Sequence, residues 1–411
     1  MNIKNTLKET FPALSHKDFK YFWTGQCVSL IGTWMQNTGQ SWLILTLTDS
    51  PFLLGLVNAL QFLPMLIFSL FSGVIIDKFS KKRLLIFTQI SFAVLAFILA
   101  ILVWSGKVTY WYVLILAALL GCINTIDMPT RQAFVIDLVG KNHVMNAVSL
   151  NSAVFNGAKI IGPAISGMCI HYFGMAPCFF INAISFIPVI WSLFLIKTEG
   201  KPEKVNLDYK IVNEIKKGLL YIKREPILME TVILMAVVGV FLMNFNVMIP
   251  LLAKNVLNEK SMGYGFLMSV MGIGCFLGAL SQVLKSKSGP KKHILYKSGL
   301  ISSVILILIG SNKSVVLESI LLLLTGFFNI WFITTTNSLL QLNSSREYRG
   351  RVMSVYALVS NGLTPLGSLF SGSLSSYIGV SNTFILSGII IIVFFIFIII
   401  IKNKGYKNIN G

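Results

Sequence analysis

The sequence predicts an all-α integral membrane protein with 12 transmembrane helices arranged as two parallel six-helix repeats. Of its 411 residues, 55% are hydrophobic and only 12% are charged, about half the charged fraction of a typical soluble domain. Twelve apolar runs are each long enough to cross a hydrocarbon core of about 30 Å. Glycines also recur at one fixed interval in the two halves of the chain. This composition excludes a cytosolic enzyme, a secreted disulfide scaffold and a disordered protein.

The apolar runs are too long and too continuous to be strands of a membrane barrel, so each is predicted to form a helix. Their boundaries, to within a few residues, are 20–46, 52–76, 84–104, 109–132, 145–173, 176–196, 227–252, 263–284, 294–311, 315–341, 352–377 and 380–401. Because their number is even, both chain ends are expected on the same side of the membrane.

The basic residues indicate which side that is. Of the 34 Lys and Arg residues, 28 fall in the termini and in alternate loops, whereas the other loops hold four: Lys107, Lys254, Lys260 and Lys313. Positive charge accumulates on the cytoplasmic side. We therefore expect a multi-pass protein of the cell membrane with both termini in the cytoplasm. The net charge of +19 is then explained by the basic residues of the cytoplasmic loops. For this reason no nucleic-acid partner is expected.

The longest polar stretch lies midway along the chain and divides it. We predict an N-terminal six-helix bundle over 1–196, a cytoplasmic linker over 197–226, a C-terminal six-helix bundle over 227–401 and a cytoplasmic tail over 402–411. Apolar residues of the linker share one helical face between basic residues. This pattern predicts a cationic amphipathic helix along the inner membrane surface, serving either as a simple linker or as a binding surface for a partner.

The two bundles share a glycine pattern. A shift of 205 residues aligns Gly162 with Gly367 and Gly167 with Gly372, and seven of the thirteen glycines before residue 206 find a glycine partner. Two repeats in the same orientation are typical of secondary transporters, which bind substrate between the halves near the membrane midplane.

The loop between the second and third runs predicts a cytoplasmic gate. It contains Gly73, Asp77, Lys78, Lys82 and Arg83. A carboxylate among cations at a helix end can hold neighbouring helices by charge-assisted hydrogen bonds, and these can break as the halves rock. The alternative is that the basic residues are only positive-inside anchors.

The end of the fourth run adds a second pair of charges. Asp127 and Arg131 are four residues apart and can share a helix face. Pro129 between them predicts a kink or a loosened helix end. We interpret the pair as part of a switchable ion-pair network with Asp77. Ordinary solvated loop charges are the alternative.

The fifth run combines small residues with a charge. Gly162, Pro163 and Gly167 are spaced for close packing on a neighbouring helix, with a bend at the proline. Lys159 lies near the membrane midplane, where an ammonium is costly and normally faces a cavity or a partner. We predict that it lines a cavity or forms an ion pair.

The first run carries an unusual polar stripe. Gln26, Gln36, Asn37 and Gln40 interrupt it, together with Trp34. Polar and aromatic groups together suit an amphipathic ligand, although hydrogen bonds between helices are an equal alternative. The sequence contains no catalytic constellation and no metal-ligand spacing, so neither an enzyme nor a metal site is expected.

Several of these segments resemble a known family. The loop from Gly73 to Leu85 resembles the signature of the major facilitator superfamily, with Ser80 in place of its second glycine. The helix from Asn156 to Gly167 resembles a motif of antiporting exporters, from which Ala158 and Ser166 depart. Further blocks resemble the drug:proton antiporter branch that holds enterobactin and macrolide exporters: Trp34–Asn37, Leu43–Pro51, Pro129–Ala133, Ala158–Pro163 and Arg349–Val352.

The resemblance implies the major facilitator fold and proton-driven efflux of a hydrophobic or amphipathic small molecule by alternating access. A drug, a macrolide or a siderophore-like compound would be the substrate. The expected partners are that molecule, protons and the lipid bilayer. The protein would act as a monomer without a cofactor, with the proton gradient as its energy source. A lysophospholipid flippase or a small-molecule importer on the same fold remains an alternative.

Overall fold

A computed structural model describes residues 11–201, 211–285 and 289–407. Within these ranges the side chains of 69–74, 77, 211–215, 285 and 401–407 lie outside the description. The described residues form helices and short connections, and they contain no strand. The predicted all-α class is therefore confirmed for this part of the chain. Residues 202–210 of the predicted linker and 408–411 of the predicted tail lie outside the described residues.

The helices of the first half follow a short 3-10 turn over Pro12–Ser15. They are α1 (Lys17–Thr48), α2 (Pro51–Lys78), α3 (Lys81–Trp104), α4 (Tyr110–Phe173) and α5 (Ala176–Leu195).

The helices of the second half are shorter on average, because two of the predicted runs are broken. They are α6 (Ile211–Arg224), α7 (Pro226–Phe241), α8 (Phe245–Leu251) with a π-helical turn over Leu252–Val256, α9 (Ser261–Lys285), α10 (Lys292–Ser311), α11 (Val315–Leu342), α12 (Arg349–Gly362), α13 (Thr364–Ile378) and α14 (Val380–Lys407).

Among the described residues, nine helices are long and apolar enough to cross a membrane. The 64-residue α4 contains two of the predicted runs and is interrupted by Gly140, whose φ is 71°. The polar stripe of α1 lowers its hydropathy, and α12 and α13 are separated at Leu363. These features account for the difference from the 12 predicted runs, and the count of 12 spans stays a prediction.

Spatial packing divides the chain into two compact units. The first unit contains 1–48, 63–206 and 261–269, and the second contains 49–62, 207–260 and 270–411. Each unit therefore includes a short segment from the other half of the sequence. The division by sequence into bundles, linker and tail stays a prediction.

The first unit is centred on α1, which packs along α4 and α5. Small residues allow this approach: a Cβ added at Gly25 would lie 2.9 Å from the Cα of Val189. Near one end of the unit, Phe22 and Phe134 are almost fully buried and meet edge to face at 5.8 Å between ring centroids. Close helix packing at small residues is how membrane helices associate without a hydrophobic driving force.

The second unit uses the same device. Gly299 of α10 packs against the ring of Phe395 in α14. A Cβ added at Gly326 of α11 would lie 2.9 Å from the amide nitrogen of Cys275 in α9. Helices of this unit therefore also approach one another at glycines.

The predicted amphipathic helix corresponds to α6, but its described end packs on protein. Ile222 is buried in an apolar cluster that includes Leu228 and Val352. The ring of Tyr221 stacks on Tyr348 with 4.4 Å between centroids. The last turns of this helix therefore dock on the start of α12, and its position along the inner membrane surface stays a prediction.

Candidate functional site

A buried charge network joins α3 and α4 around Asp127. Its Oδ2 accepts hydrogen bonds from Arg131 Nη2 at 2.5 Å and Nε at 3.1 Å. Its Oδ1 accepts from Thr88 Oγ1 at 2.6 Å and Gln89 Nε2 at 2.8 Å. The side chain of Asp127 is only 5% exposed. Such charge-assisted bonds are short and strong, so this carboxylate holds two helices together.

The sequence anticipated part of this network. The i, i+4 pairing of Asp127 with Arg131 is confirmed. The two donors from α3, Thr88 and Gln89, were missed, although they are conspicuous polar neighbours within an apolar run. The helix does not end near Pro129 as expected but continues to Gly140. A proline is tolerated within a membrane helix when side chains and neighbours satisfy the freed backbone groups.

The predicted gate is described only in part, because the side chains of Gly73 and Asp77 lie outside the described residues. Lys78 and Arg83 are exposed. Lys82 Nζ donates a hydrogen bond to the carbonyl oxygen of Ile196 at 2.6 Å. The network of Asp77 with Asp127 and Arg131 therefore stays a prediction.

Near this loop, the segment after α5 is fastened by polar contacts that the sequence did not indicate. Lys81 Nζ pairs with Asp137 Oδ2 at 2.9 Å, and the amide of Lys81 donates to the carbonyl of Gly200. Asp18 Oδ2 accepts from the amide and the hydroxyl of Thr198 at 3.0 and 2.8 Å. The segment 196–200 is thus tied to α1 and α3, and the ion pair of Lys81 and Asp137 joins α3 to α4.

The three residues of the helix motif lie at close helix crossings. A Cβ added at Gly162 would lie 3.0 Å from the carbonyl oxygen of Ile31 in α1. A Cβ added at Gly167 would lie 2.8 Å from the carbonyl oxygen of Ser261 and 3.1 Å from the Cα of Gly265 in α9. Pro163 is buried. The predicted close packing of this helix is confirmed.

The second unit repeats this crossing at the aligned glycine. A Cβ added at Gly372 would lie 2.7 Å from the carbonyl oxygen of Pro51 and 3.0 Å from the Cα of Gly55. In both crossings, the glycine meets the first turn of another helix. The contacted carbonyl belongs to Ser261 or Pro51, and a glycine follows four residues later, at Gly265 or Gly55. This similarity supports a common origin of the two halves.

Lys159 contacts an aromatic ring. Its Nζ lies 5.8 Å from the ring centroid of Trp34, and Trp34 also meets Phe155 edge to face. A cation over an indole face is attracted by the ring quadrupole. Two predicted residues, Lys159 and Trp34, are therefore brought together by α4 and α1.

The amide stripe of α1 is mostly buried. Gln26, Gln36 and Gln40 are each under a tenth exposed, whereas Asn37 is half-buried. Gln36 Oε1 accepts a hydrogen bond from Asn182 Nδ2 of α5 at 2.7 Å. For Gln36 this favours the interhelical alternative over contact with substrate.

Two acidic residues acquire a role that the sequence did not assign. Glu230 of α7 accepts hydrogen bonds from Lys292 Nζ and the Tyr296 hydroxyl of α10. Glu318, in the first turn of α11, is 0% exposed. Its Oε1 lies 3.4 Å from Asn312 Nδ2, and among the described residues its Oε2 has no hydrogen-bond partner. A buried carboxyl without a full set of partners within a membrane span is a candidate functional group.

Comparison with known proteins shows which family has this arrangement. A profile of the family described as transmembrane secretion effector matches residues 8–410. The chain belongs to this family of major facilitator transporters. The transporter is 28% identical over 381 residues to the staphyloferrin A transporter of Staphylococcus aureus, covering 90% of this chain and 92% of that protein.

Other relatives of the transporter are named efflux proteins. It is 23% identical to the multidrug efflux pump Tap of Mycolicibacterium fortuitum, over 84% of this chain and 86% of that one. It is 20% identical to macrolide efflux protein A of Streptococcus pyogenes, over 91% and 93%. Its fold is similar to the crystal structure of the nucleoside transporter NupG, with a TM-score of 0.76, 13% identity and coverage of 96% and 99%.

For this transporter, replacing Lys159 with methionine is expected to preserve insertion and fold. Methionine keeps the length of the side chain and removes a charge that costs about 2.5–3.5 kcal/mol at the bilayer centre. Transport is expected to fall, and more for an anionic substrate than for a neutral one. Lys159→Arg should retain part of the activity, because a guanidinium also stacks on Trp34.

The measurement is transport per folded molecule in membrane vesicles, for one anionic and one neutral compound. The control is Lys313→Met, which removes an exposed lysine. Wild-type transport of both compounds by Lys159→Met would show that Lys159 is dispensable.

Proposed function

We propose that the transporter is a proton-coupled exporter of a hydrophobic or amphipathic small molecule, such as a drug, a macrolide or a siderophore-like compound. The observation that carries this proposal is the match to named efflux proteins over 84% or more of the chain. The staphyloferrin A transporter extends the range of related substrates to a siderophore. The transporter works without a cofactor, as a monomer, with the proton gradient as its energy source.

Alternating access in this proposal rests on 12 transmembrane helices arranged as two parallel six-helix repeats, with both termini in the cytoplasm. The repeated glycine crossings at Gly167 and Gly372 support the duplication. The strong excess of Lys and Arg in alternate loops supports the orientation. The buried pair of Asp127 and Arg131 is proposed to form a switchable ion-pair network with Asp77.

Proton coupling requires a group that can exchange a proton within the membrane, and Glu318 fits this requirement. Its carboxyl group is fully buried, and Oε2 has no partner among the described residues. A charge on this buried carboxyl group is costly. Protonation of Glu318 would therefore stabilise the conformation in which the side chain is buried. Release of the proton would favour a conformation in which the carboxylate is hydrated. Coupling of proton movement to transport needs a group whose protonated and ionised forms favour different conformations of the protein.

Everted membrane vesicles test the proposal, because export from the cell is measured as uptake into them. We expect accumulation of a substrate only when the vesicle interior is acidic. A gradient of about one pH unit is worth about 1.4 kcal/mol per proton and supports about tenfold accumulation for one-for-one exchange. A protonophore should abolish it. Accumulation only in right-side-out vesicles would identify an importer, and movement of lysophospholipid alone would identify a flippase.

Glu318→Gln is expected to separate coupling from substrate movement. Glutamine has nearly the same shape and cannot exchange a proton, so the variant should fold but lose gradient-driven accumulation. Counterflow of labelled against unlabelled substrate should continue, because it needs no net proton movement. Glu347→Gln, which changes a 72% exposed carboxylate, is the control. Normal accumulation by Glu318→Gln would assign the proton to another residue while leaving the wild-type test of coupling intact.

A further inference from the structure

One face of α10 is exposed along its whole length and changes character along the way. Ile301, Val304 and Leu308 are 39–49% exposed, and His293 and Lys297 continue the same stripe at its beginning. The spacing of three and four residues keeps these side chains on one helix face. On its other side, α10 is covered, since Gly299 and Gly310 pack against α14. The exposed stripe therefore begins with a histidine and a lysine and continues as an apolar wall.

The neighbouring helix α11 supplies a second wall. Leu317, Ile320 and Leu324 are exposed along it, and Phe328 and Trp331 continue the stripe towards the end of α11 that lies beside His293 and Lys297. His293, Lys297 and Ile301 of α10 and Phe328 and Trp331 of α11 line a cavity of about 310 Å³, at the lower end of the range for small-molecule sites.

The aromatic wall of this groove is held in place. Trp331 Nε1 donates a hydrogen bond to Ser281 Oγ of α9 at 2.7 Å, and its ring stacks on Phe327 with 5.8 Å between centroids. The indole N–H is thus directed to protein, and the ring presents an apolar surface to the groove. Such a surface suits a hydrocarbon chain rather than a polar ligand.

The position of Lys297 distinguishes it from the loop lysines that mark the cytoplasmic side of the membrane. Positive-inside residues lie in the loop that precedes α10, whereas Lys297 lies more than a full turn inside the helix. From Lys297 to Leu308 the stripe extends about 16 Å at 1.5 Å per residue. A lysine at one end of an apolar helix face of this length matches the shape and charge of a phospholipid.

We propose that this groove is a binding site for an anionic phospholipid of the inner leaflet. The phosphate is held by Lys297 and His293, and one acyl chain lies between α10 and α11 against Phe328 and Trp331. Lysine stems can lie along apolar surface while the ammonium reaches the phosphate. The proposed orientation, with the start of α10 at the cytoplasmic side, places Lys297 at the leaflet that carries anionic lipid.

Native mass spectrometry of the purified full chain tests this site. The protein is equilibrated with equal amounts of phosphatidylglycerol and phosphatidylcholine of identical acyl chains, and the lipid that stays bound is counted. The wild type is expected to retain phosphatidylglycerol. The double variant Lys297→Gln with His293→Gln should lose about fivefold of this preference, as expected for the loss of one interfacial lysine. Both positions are exposed, so the variant should fold.

Two further arms make the result specific. Lys313→Gln, at the opposite end of the helix pair, should leave the preference unchanged. Ile301→Trp, which fills the groove, should reduce binding of both lipids. Equal retention of both lipids by the wild type, or an unchanged preference in the double variant, would overturn the proposal. Displacement of the lipid signal by inorganic phosphate alone would also overturn it, because the site would then bind free phosphate.

Discussion

Replacing Gly167 with leucine is expected to abolish transport. The helices α4 and α9 cross at this residue so closely that an added Cβ would lie 2.8 Å from the carbonyl oxygen of Ser261. A backbone atom cannot move aside as a flexible side chain can, so the helices must separate. Overpacking of this kind costs about 1–3 kcal/mol in soluble cores, and a shifted backbone adds to it. We expect the same loss for Gly372→Leu, at the matching crossing of the second unit.

Gly157 is the matched control for this prediction. It lies ten residues earlier on the same helix, and no heavy atom lies within 4 Å of a Cβ added there. Gly157→Leu should therefore fold and transport nearly as the wild type does, with a change in stability of about 0.5 kcal/mol or less. Transport rate and thermal unfolding of the purified proteins are the measurements. Equal losses at Gly157 and Gly167 would contradict a role for close packing.

The second large effect is expected for Asp127→Asn. Asparagine keeps one oxygen for Thr88 and Gln89, but its amide nitrogen must then face the guanidinium of Arg131, where donor meets donor. Loss of the charge from a largely buried pair costs about 1–3 kcal/mol. We expect reduced thermal stability and severely slowed transport, because Arg131 loses its buried anionic partner within α4 and faces an amide donor instead.

Glu347→Gln provides the comparison, because Glu347 also lies four residues before an arginine. Its carboxylate is 72% exposed and stands 3.8 Å from Arg351. An exposed pair of this kind contributes about 0–1 kcal/mol, so Glu347→Gln should change little. If transport and unfolding temperature of Asp127→Asn resembled those of Glu347→Gln, the buried network would have no special role.

The sequence predicted those parts of the structure that depend on local spacing. Apolar runs predicted the helices, the i, i+4 interval predicted the pair of Asp127 and Arg131, and small residues predicted the crossings of Gly162 and Gly167. The sequence could not predict partners that are distant in the chain. Gln89 approaches Asp127 across 38 residues, and Asp18 reaches Thr198 across 180. Such contacts depend on how helices pack rather than on any local pattern.

The connection between the fourth and fifth runs shows the opposite error. The gap between these runs predicted a loop at 133–144, yet α4 continues through it and is interrupted only at Gly140. Residues 133–139 contain neither proline nor glycine, and such a stretch can stay helical when one face is covered. Here Phe134 and Leu138 are buried in the apolar cluster of the first unit. The end of the fourth apolar run thus marked the end of a predicted span but not the end of the helix α4.

The glycine crossings also determine the order in which the protein can be completed during synthesis. The amide of Phe52, in the first turn of α2, donates a hydrogen bond to Ser376 Oγ, which lies 324 residues later in the chain. At translation rates of about 5–20 residues per second, the start of α2 waits about 15–65 s for this partner. The last segment of the first unit, by contrast, is 261–269. A ribosome that stalls between these points leaves one unit complete and the other with an open helix surface, a ready target for membrane quality control.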